Sequence, residues 1–215
     1  MFYLTKTPGL LKTFYPSCTW NFSRETKTIY FTFDDGPHPE ATPFVLDTLK
    51  EYNAKATFFC IGKNVVAYPD IYKRILNEGH AVGNHTFNHL NGWKTKDEIY
   101  FQNVFEAAKY IDSDLFRPPY GRVTKFQAAV LQQSGKAPAI GKQAFKIIMW
   151  SLLSGDFDTK LSPAGCLQNI ILHAKPGYII VFHDSTKAWE RMSYALPQVL
   201  EYFNNKGYRF LPLGE

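Results

Sequence analysis

Apolar residues along this chain follow two alternating patterns, one strand-like and the other helix-like. Short runs rich in β-branched and aromatic residues predict strands, and apolar positions three or four residues apart predict helices. The predicted strands are 28–33, 56–61, 81–84, 146–150, 178–182 and 208–211, with one more beginning at 115–116. The predicted helices are 42–52, 71–77, 96–111, 124–133, 163–173 and 195–205. The two kinds of element alternate almost to the end of the chain.

This alternation predicts an α/β fold with a parallel sheet, either an open doubly wound sheet or a barrel. No Gly-x-Gly-x-x-Gly sequence follows the first strand, so the open sheet has little support. The polar clusters fall just after predicted strands, at 34–35, 85–89, 117–120, 150–158 and 183–184. In a barrel these strand ends meet on one face, where active sites are built. We therefore predict a distorted (β/α) barrel with about seven β/α units.

Composition indicates an ordinary globular protein: 45% of the 215 residues are hydrophobic and 20% are charged. We found neither an internal repeat nor a linker, which predicts a single catalytic domain over residues 1–215. No apolar run approaches the length of a transmembrane helix. The net charge of +5 is spread along the chain, so no nucleic-acid partner is predicted. The pattern indicates no particular oligomeric state.

Cysteine usage and the N-terminus bear on cellular location. Cys18, Cys60 and Cys166 form no CxxC sequence and cannot all pair, which is typical of reduced thiols. Polar residues, glycine and proline interrupt the first residues, so no signal-peptide core is evident. These observations predict a cytoplasmic protein.

Two segments contain residues suited to metal-dependent hydrolysis. Asp34 and Asp35 end an apolar run, and two adjacent carboxylates cannot both be buried and ionised cheaply without a cation or hydrogen bonds. His85 and His89 are four residues apart, so their imidazoles can point the same way. The combination predicts that one aspartate and the two histidines bind a metal, while the other aspartate stays free as a base.

Four segments resemble signature motifs of the polysaccharide deacetylase family, the carbohydrate esterases (family 4) that share the NodB homology domain. They are 32–36 (TFDDG), 85–89 (HTFNH), 117–120 (RPPY) and 180–184 (IVFHD), in the family's order and spanning most of the chain. The resemblance implies a metal-dependent hydrolase that removes N-acetyl or O-acetyl groups from a glycan, such as chitin oligosaccharide or peptidoglycan. An acetylated carbohydrate is therefore the expected partner.

The resemblance also implies roles for individual residues. Asp35, His85 and His89 correspond to the metal ligands, for which Zn²⁺ is the first expectation and Co²⁺, Ni²⁺ and Mn²⁺ are alternatives. The remaining catalytic roles fall on Asp34 as general base, Arg117 as its ion partner, Tyr120 as a backbone donor to the oxyanion, and His183 as general acid. We also expect Pro119, Trp150 and Ile180 to contact the substrate, with Trp150 and Ile180 beside the acetyl methyl.

The fourth family motif departs from its pattern. Leu153 stands where the family has an aspartate that orients the acid histidine, and a leucine cannot hydrogen-bond His183. Either Asp156 or Asp158 reaches His183 from the turn at Gly155, or His183 acts without a carboxylate partner. The unpartnered case would favour ester over amide substrates, because an alkoxide needs less help to leave than an amine.

Two other functions remain open from the sequence. The same metal and base would serve a small-molecule amide or imide hydrolase. A sugar-binding protein with impaired catalysis would use some of the chain's 35 aromatic residues as stacking faces, with Trp93 and Trp189 as candidates.

Overall fold

The structure is a computed structural model and describes residues 4–133 and 144–214. In chain order, strands β1 to β8 are Thr28–Asp34, Thr57–Cys60, Ala81–Asn84, Leu115–Phe116, Lys146–Ile147, Leu152–Leu153, Ile179–His183 and Arg209–Phe210. Helices α1 to α8 are Gly9–Phe14, Ala41–Glu51, Gly62–Ala67, Pro69–Asn77, Asp97–Ala107, Lys125–Gln133, Pro163–His173 and Trp189–Asn204. Within these ranges, no helix is long and apolar enough to cross a membrane.

The strands form one parallel sheet that is rolled into a distorted barrel. Its order is β5-β4-β3-β2-β1-β7-β6, and β8 pairs with β1. β5 and β6 lie at opposite ends of this order, yet only residues 148–151 separate them in the chain. A link of that length spans at most about 18 Å, so the two edges must curve toward each other. The predicted barrel is thus confirmed.

The alternation of side chains along the strands separates two apolar layers. Tyr30 of β1 and Ile179 of β7 belong to a small cluster inside the barrel, together with Phe59, Leu115, Ile148 and Leu213. Phe31 and Phe33 of β1 face the other way, into the large core between the sheet and the helices. Asp34 and His183 share the parity of the inward residues, so the strand pattern directs both side chains into the barrel mouth.

Most predicted elements occur within a few residues of their predicted bounds, and three departures have physical reasons. The strand predicted at 146–150 ends at Ile147, because the chain there leaves one edge of the sheet for the other. α8 begins at Trp189, six residues before the predicted start, since Met192 extends its buried face by a turn. α1 and α3 are six residues each and were not predicted, because they are too short for an apolar period to show.

Candidate active site at the carboxyl ends of the strands

Three polar side chains lie at the carboxyl ends of parallel strands, two of them on the paired strands β1 and β7. Asp34 is the last residue of β1, and its partner in register is His183, the last residue of β7. Arg117 directly follows β4. All three are mostly or fully buried. Since parallel strands end at the same edge, residues far apart in sequence come together here.

Arg117 is fully buried and holds Asp34 in an ion pair. Its Nη1 lies 2.7 Å from Asp34 Oδ1 and 2.7 Å from the hydroxyl oxygen of Thr32. The other guanidinium N–H groups donate to the backbone carbonyls of Ile148 and Met149. Burial alone would raise the pKa of Asp34, but the positive charge and hydrogen bond of Arg117, together with the charges of His85 and His183, lower that pKa. Asp34 is therefore a carboxylate at neutral pH, as a general base must be.

Asp35, His85 and His89 form a compact set of metal-ligating groups. One ligand atom from each lies within 4.8 Å of the other two. Asp35 Oδ1 is 3.2 Å from His89 Nε2 and 3.8 Å from His85 Nε2. In the described part of the chain, this oxygen is one of two buried side-chain polar atoms without a hydrogen bond. An uncompensated buried carboxylate oxygen is costly, and a cation between these three groups would remove that cost.

The orientation of His85 also suits a metal. Its Nδ1 lies 2.8 Å from the carbonyl oxygen of Arg117 and must donate to it. The lone pair of Nε2 then points toward Asp35, and two acceptors face each other unless a cation lies between them. Burial lowers the pKa of His85, and burial together with His85 lowers the pKa of His89 to about 4. Neutral imidazoles can bind a metal, so the residues present fit the ion that the sequence predicted.

Strained backbone is concentrated at this site. Asp35, Thr86, His89 and Tyr120 have φ angles of 86°, 63°, 58° and 60°, in the region that favours glycine. Of the described residues, Asn53 is the one other non-glycine residue with positive φ. Each such residue costs about 1–3 kcal/mol, which persists where the surroundings impose it. The loops that carry two ligands and Tyr120 are therefore held in conformations that the chain alone would not favour.

Asp156 is the carboxylate that contacts His183. Its Oδ1 lies 2.7 Å from His183 Nδ1, and its Oδ2 accepts the backbone N–H of His183 at 2.6 Å. Burial opposes protonation of His183, but the charge and hydrogen bond of Asp156, with smaller contributions from the charges of Asp35 and Asp34, raise the pKa of His183 to about 10. Asp158 instead accepts the backbone N–H of Lys160 in the following turn. Of the alternatives left open by the sequence, the structure therefore has Asp156 beside His183.

The turn after β6 explains how Asp156 can contact His183, although position 153, where the family has its aspartate, is a leucine in this chain. Leu153 is buried in β6 and pairs in register with Val181. Gly155 has a φ of 82°, which turns the chain back toward the end of β7. Arg191 of α8 then donates from Nε to the carbonyl of Asp156 at 2.7 Å. Arg191 was not predicted as a site residue, because it lies before the helix predicted at 195–205 and no predicted apolar face included it.

Tyr120, Pro119 and Trp150 lie around one turn. Tyr120 is 55% exposed, its ring centroid is 4.6 Å from that of His89, and no described residue accepts its backbone N–H. Pro119 is buried at the start of the 3-10 turn Pro119–Gly121. Trp150 packs under Gly121, where an added Cβ would lie 2.5 Å from the indole ring. The free N–H suits an oxyanion donor.

Ile180 does not line the site, and its predicted contact with substrate is wrong. It is fully buried in the core between the sheet and the helices. Residues alternate along a strand, so Ile180 points opposite to His183, three residues on. Val181 shares the inward face with His183 and is the apolar β7 residue nearest to it on that face.

The chain is similar in sequence to known proteins. Residues 22–139 match the sequence profile of the family described as Polysaccharide deacetylase. The chain is 32% identical to a peptidoglycan-N-acetylglucosamine deacetylase of Bacillus cereus, over 92% of this chain and 91% of that protein. It is 34% identical to a chitooligosaccharide deacetylase of Azorhizobium caulinodans, over 75% of this chain and 76% of that protein. Some matched peptidoglycan deacetylases are longer, and the chain spans as little as 39% of their length.

A solved structure is similar over nearly the whole chain. The Bc1960 peptidoglycan N-acetylglucosamine deacetylase, in complex with 4-naphthalen-1-yl-N-oxidanyl-benzamide, superimposes with a TM-score of 0.82 at 30% identity. The match covers 96% of this chain and 95% of that one. By its sequence, its fold and the extent of these matches, the chain belongs to the polysaccharide deacetylase family.

Proposed function

We propose that this protein hydrolyses the acetamide of N-acetylglucosamine residues in a glycan, releasing acetate and leaving a free amine on the sugar. Family membership supports a hydrolase acting on such C–N bonds. The names of the relatives support peptidoglycan and chitooligosaccharides as substrate classes. One observation carries the proposal: a carboxylate, Asp34, and a protonated imidazole, His183, are register partners beside the Asp35, His85 and His89 set.

Asp35, His85 and His89 would hold a divalent cation. We propose Zn²⁺ ahead of Co²⁺, Ni²⁺ or Mn²⁺, because one carboxylate and two imidazoles with open positions suit catalytic zinc. When bound, the cation supplies a Lewis acid that polarises the acetyl carbonyl and lowers the pKa of bound water from 15.7 to about 7.

Asp34 acts as the general base. It takes a proton from the attacking water as the new C–O bond forms on the acetyl carbon. Arg117 keeps Asp34 ionised before this step and holds the carboxylate in place through a 2.7 Å contact. The backbone N–H of Tyr120 donates to the oxygen that becomes negative, and Pro118 and Pro119 limit the motion of the backbone before it.

His183 acts as the general acid. An amide nitrogen leaves poorly as an anion, so it must gain a proton as the C–N bond breaks. His183 delivers that proton from Nε2, while Asp156 holds Nδ1–H and stabilises the imidazolium. A partnered acid removes the reason for favouring esters, which rested on an unpartnered His183. Pro119 and Trp150, beside the Tyr120 turn, remain our candidates for contact with the sugar.

Acetate release from purified protein tests the proposal. The panel is N-acetylglucosamine oligomers, N-acetylated peptidoglycan fragments and acetylated xylan, after chelation and after adding back Zn²⁺ or Co²⁺. We expect metal-dependent release from the first two substrates, abolished in Asp34→Asn. Asp114→Asn is the control, because it alters an exposed carboxylate just before β4, at the opposite end of the strands.

Other outcomes would favour the other functions. No release from any glycan, with metal bound, would contradict the proposal, and hydrolysis of small amides or imides would then identify the alternative enzyme. Glycan binding without turnover in the wild type would indicate a sugar-binding protein. The contact between Asp156 and His183 leaves that last alternative without a structural cause for slow catalysis.

A further inference from the structure

Asp184 follows the proposed acid His183 in the chain but faces a different loop. Its side chain is fully buried. Oδ1 accepts the backbone N–H of Gly36 at 2.9 Å, and Oδ2 accepts the hydroxyl of Thr42 at 2.5 Å. Both oxygens are therefore engaged, which leaves Asp184 unsuited to be a metal ligand or a base. A buried carboxylate that serves neither purpose calls for another explanation.

The contacts of Asp184 bracket the metal-ligand candidate Asp35. The backbone N–H of Asp184 donates to the carbonyl of Asp34 at 3.1 Å, just before Asp35. Its carboxylate binds the N–H of Gly36, just after Asp35. Asp35 has a φ of 86°, so its conformation depends on groups that hold the residues on either side. Asp184 supplies one such group on each side.

The fit between Asp184 and this turn leaves no space for adjustment. A Cβ added to Gly36 would lie 2.0 Å from Asp184 Oδ2, so the turn packs directly on the carboxylate. Thr42, at the start of α2, orients the carboxylate while also accepting the backbone N–H of His38 at 2.7 Å. The Asn64 side chain also supports this turn, because its Nδ2 donates to the carbonyl oxygen of Asp35 at 2.7 Å. Asp184 supports the turn with a carboxylate.

We propose that Asp184 is a positioning residue: it fixes the turn 34–36 so that the Asp35 carboxylate faces His85 and His89, and thereby sets the affinity of the site for a divalent cation. The inference rests on the proposed function, since it assumes that these three residues bind the cation. Thr42 assists by orienting Asp184. Groups that orient metal ligands typically change metal affinity about 10–100-fold when they are removed.

Metal affinity, measured separately from activity, tests this role. We would titrate apo-protein with Zn²⁺ against a chromogenic chelator and record thermal unfolding of the apo-protein. Asp184→Ala should weaken Zn²⁺ binding by about 10–100-fold. Asp184→Asn keeps an oxygen for the Gly36 N–H and should recover much of that loss. Thr42→Val should weaken binding by about threefold or more, the range of one hydrogen bond.

Thr57→Val is the matched control. Thr57 is also a fully buried threonine, and its hydroxyl oxygen accepts the backbone N–H of Leu213, away from the turn 34–36. It should lower the unfolding temperature yet leave Zn²⁺ affinity within about twofold, since it supports no metal ligand. If Asp184→Ala does not fold, Thr42→Val decides the question against this control.

Two results would overturn the inference, and they differ. If Asp184→Ala and Thr42→Val bind Zn²⁺ as well as the wild type does, Asp184 only stabilises the fold, and the proposed function is unaffected. If the wild type binds neither Zn²⁺ nor Co²⁺, the metal site of the proposed function fails and the role of Asp184 fails with it.

Discussion

Asp156 binds His183 through both of its oxygens, one on the ring Nδ1 at 2.7 Å and one on the backbone N–H at 2.6 Å. This double contact fixes both the position of the residue and the tautomer of its ring. It is also the main cause, ahead of the charges of Asp35 and Asp34, that raises the pKa of His183 to about 10 against the effect of burial. The proton that the leaving amine requires is therefore present on His183 throughout the neutral range.

Replacing Asp156 should weaken acid catalysis and shift its pH dependence. We expect Asp156→Asn to lower kcat about 10²–10⁴-fold on N-acetylglucosamine oligomers, the usual contribution of a general acid. The basic limb of the pH–rate profile should lie well above 6.5 in the wild type. It should move down toward that value in the variant, because an amide stabilises the imidazolium less than a carboxylate does.

Asp158→Asn is the matched control for this experiment. Asp158 lies two residues away and accepts a hydrogen bond from Lys160. Its replacement should leave kcat and the basic limb nearly unchanged. A wild-type basic limb near 6.5, or equal effects of the two variants, would show that Asp156 does not support the acid.

The ion pair between Asp156 and His183 should make the free energy of unfolding depend on pH. His183 has a higher pKa in the folded state than in the unfolded state, so its contribution is complete below about pH 6.5. It is lost as pH rises toward 10, with a slope of up to about 1.4 kcal/mol per pH unit. Urea unfolding of metal-free wild type and Asp156→Asn between pH 6 and 10 should show curves that converge at high pH. Parallel curves would contradict the coupling.

Arg117 should determine the pH at which activity is lost on the acidic side of the pH–rate profile. Arg117→Lys keeps a charge but loses the planar fork that joins Asp34 to the carbonyls of Ile148 and Met149. The pKa of Asp34 should rise, so the acidic limb of kcat/KM should move to higher pH. Arg74→Lys, in a surface ion pair on α4, is the control and should not move it. If the acidic limb is unchanged in Arg117→Lys, the titration of Asp34 does not cause that limb.

Much of the site could be predicted because strand ends are visible in a sequence. Asp34, His85, Arg117 and His183 each end or directly follow a strand, and parallel strands bring their ends together. Local patterns therefore predicted a non-local cluster. The alternation of strands and helices predicted a parallel sheet, and the polar clusters at the strand ends favoured a barrel, which the short link between β5 and β6 confirms.

What could not be predicted depends on loop conformation and on strand parity. The choice between Asp156 and Asp158 turns on the positive φ of Gly155, which no apolar pattern reveals. Ile180 was expected beside the acetyl methyl, but its odd separation from His183 along the strand puts it on the opposite face. Arg191 supports Asp156 from a helix far along the chain, a contact that only the folded structure brings about.

Metal binding should stabilise the folded protein by mass action. Zn²⁺ at about 100 times its Kd adds about 2.7 kcal/mol to the free energy of unfolding, provided that the unfolded chain does not bind it. We expect added Zn²⁺ to raise the unfolding temperature of the wild type and not that of His85→Ala or His89→Ala. His173→Ala, at the exposed end of α7, is the control and should respond as the wild type does. If added Zn²⁺ still raises the unfolding temperature of both His85→Ala and His89→Ala, the metal binds at another site.

Trp93 has an indole ring that is fixed in place near the Tyr120 turn, and it should contribute to the binding of longer glycans. It is 55% exposed, its Nε1 donates to the carbonyl of Val123 at 3.0 Å, and Arg122 covers its ring at 4.2 Å from the centroid. A ring that is already oriented loses little entropy when a sugar stacks on it. Trp93→Ala should therefore raise KM more for a hexamer than for a dimer of N-acetylglucosamine, with kcat nearly unchanged.

Trp189→Ala is the comparison, because that ring is less exposed and packs edge-on against Phe44. If the two variants raise KM equally, or if the effect of Trp93→Ala does not grow with chain length, Trp93 is not a stacking face.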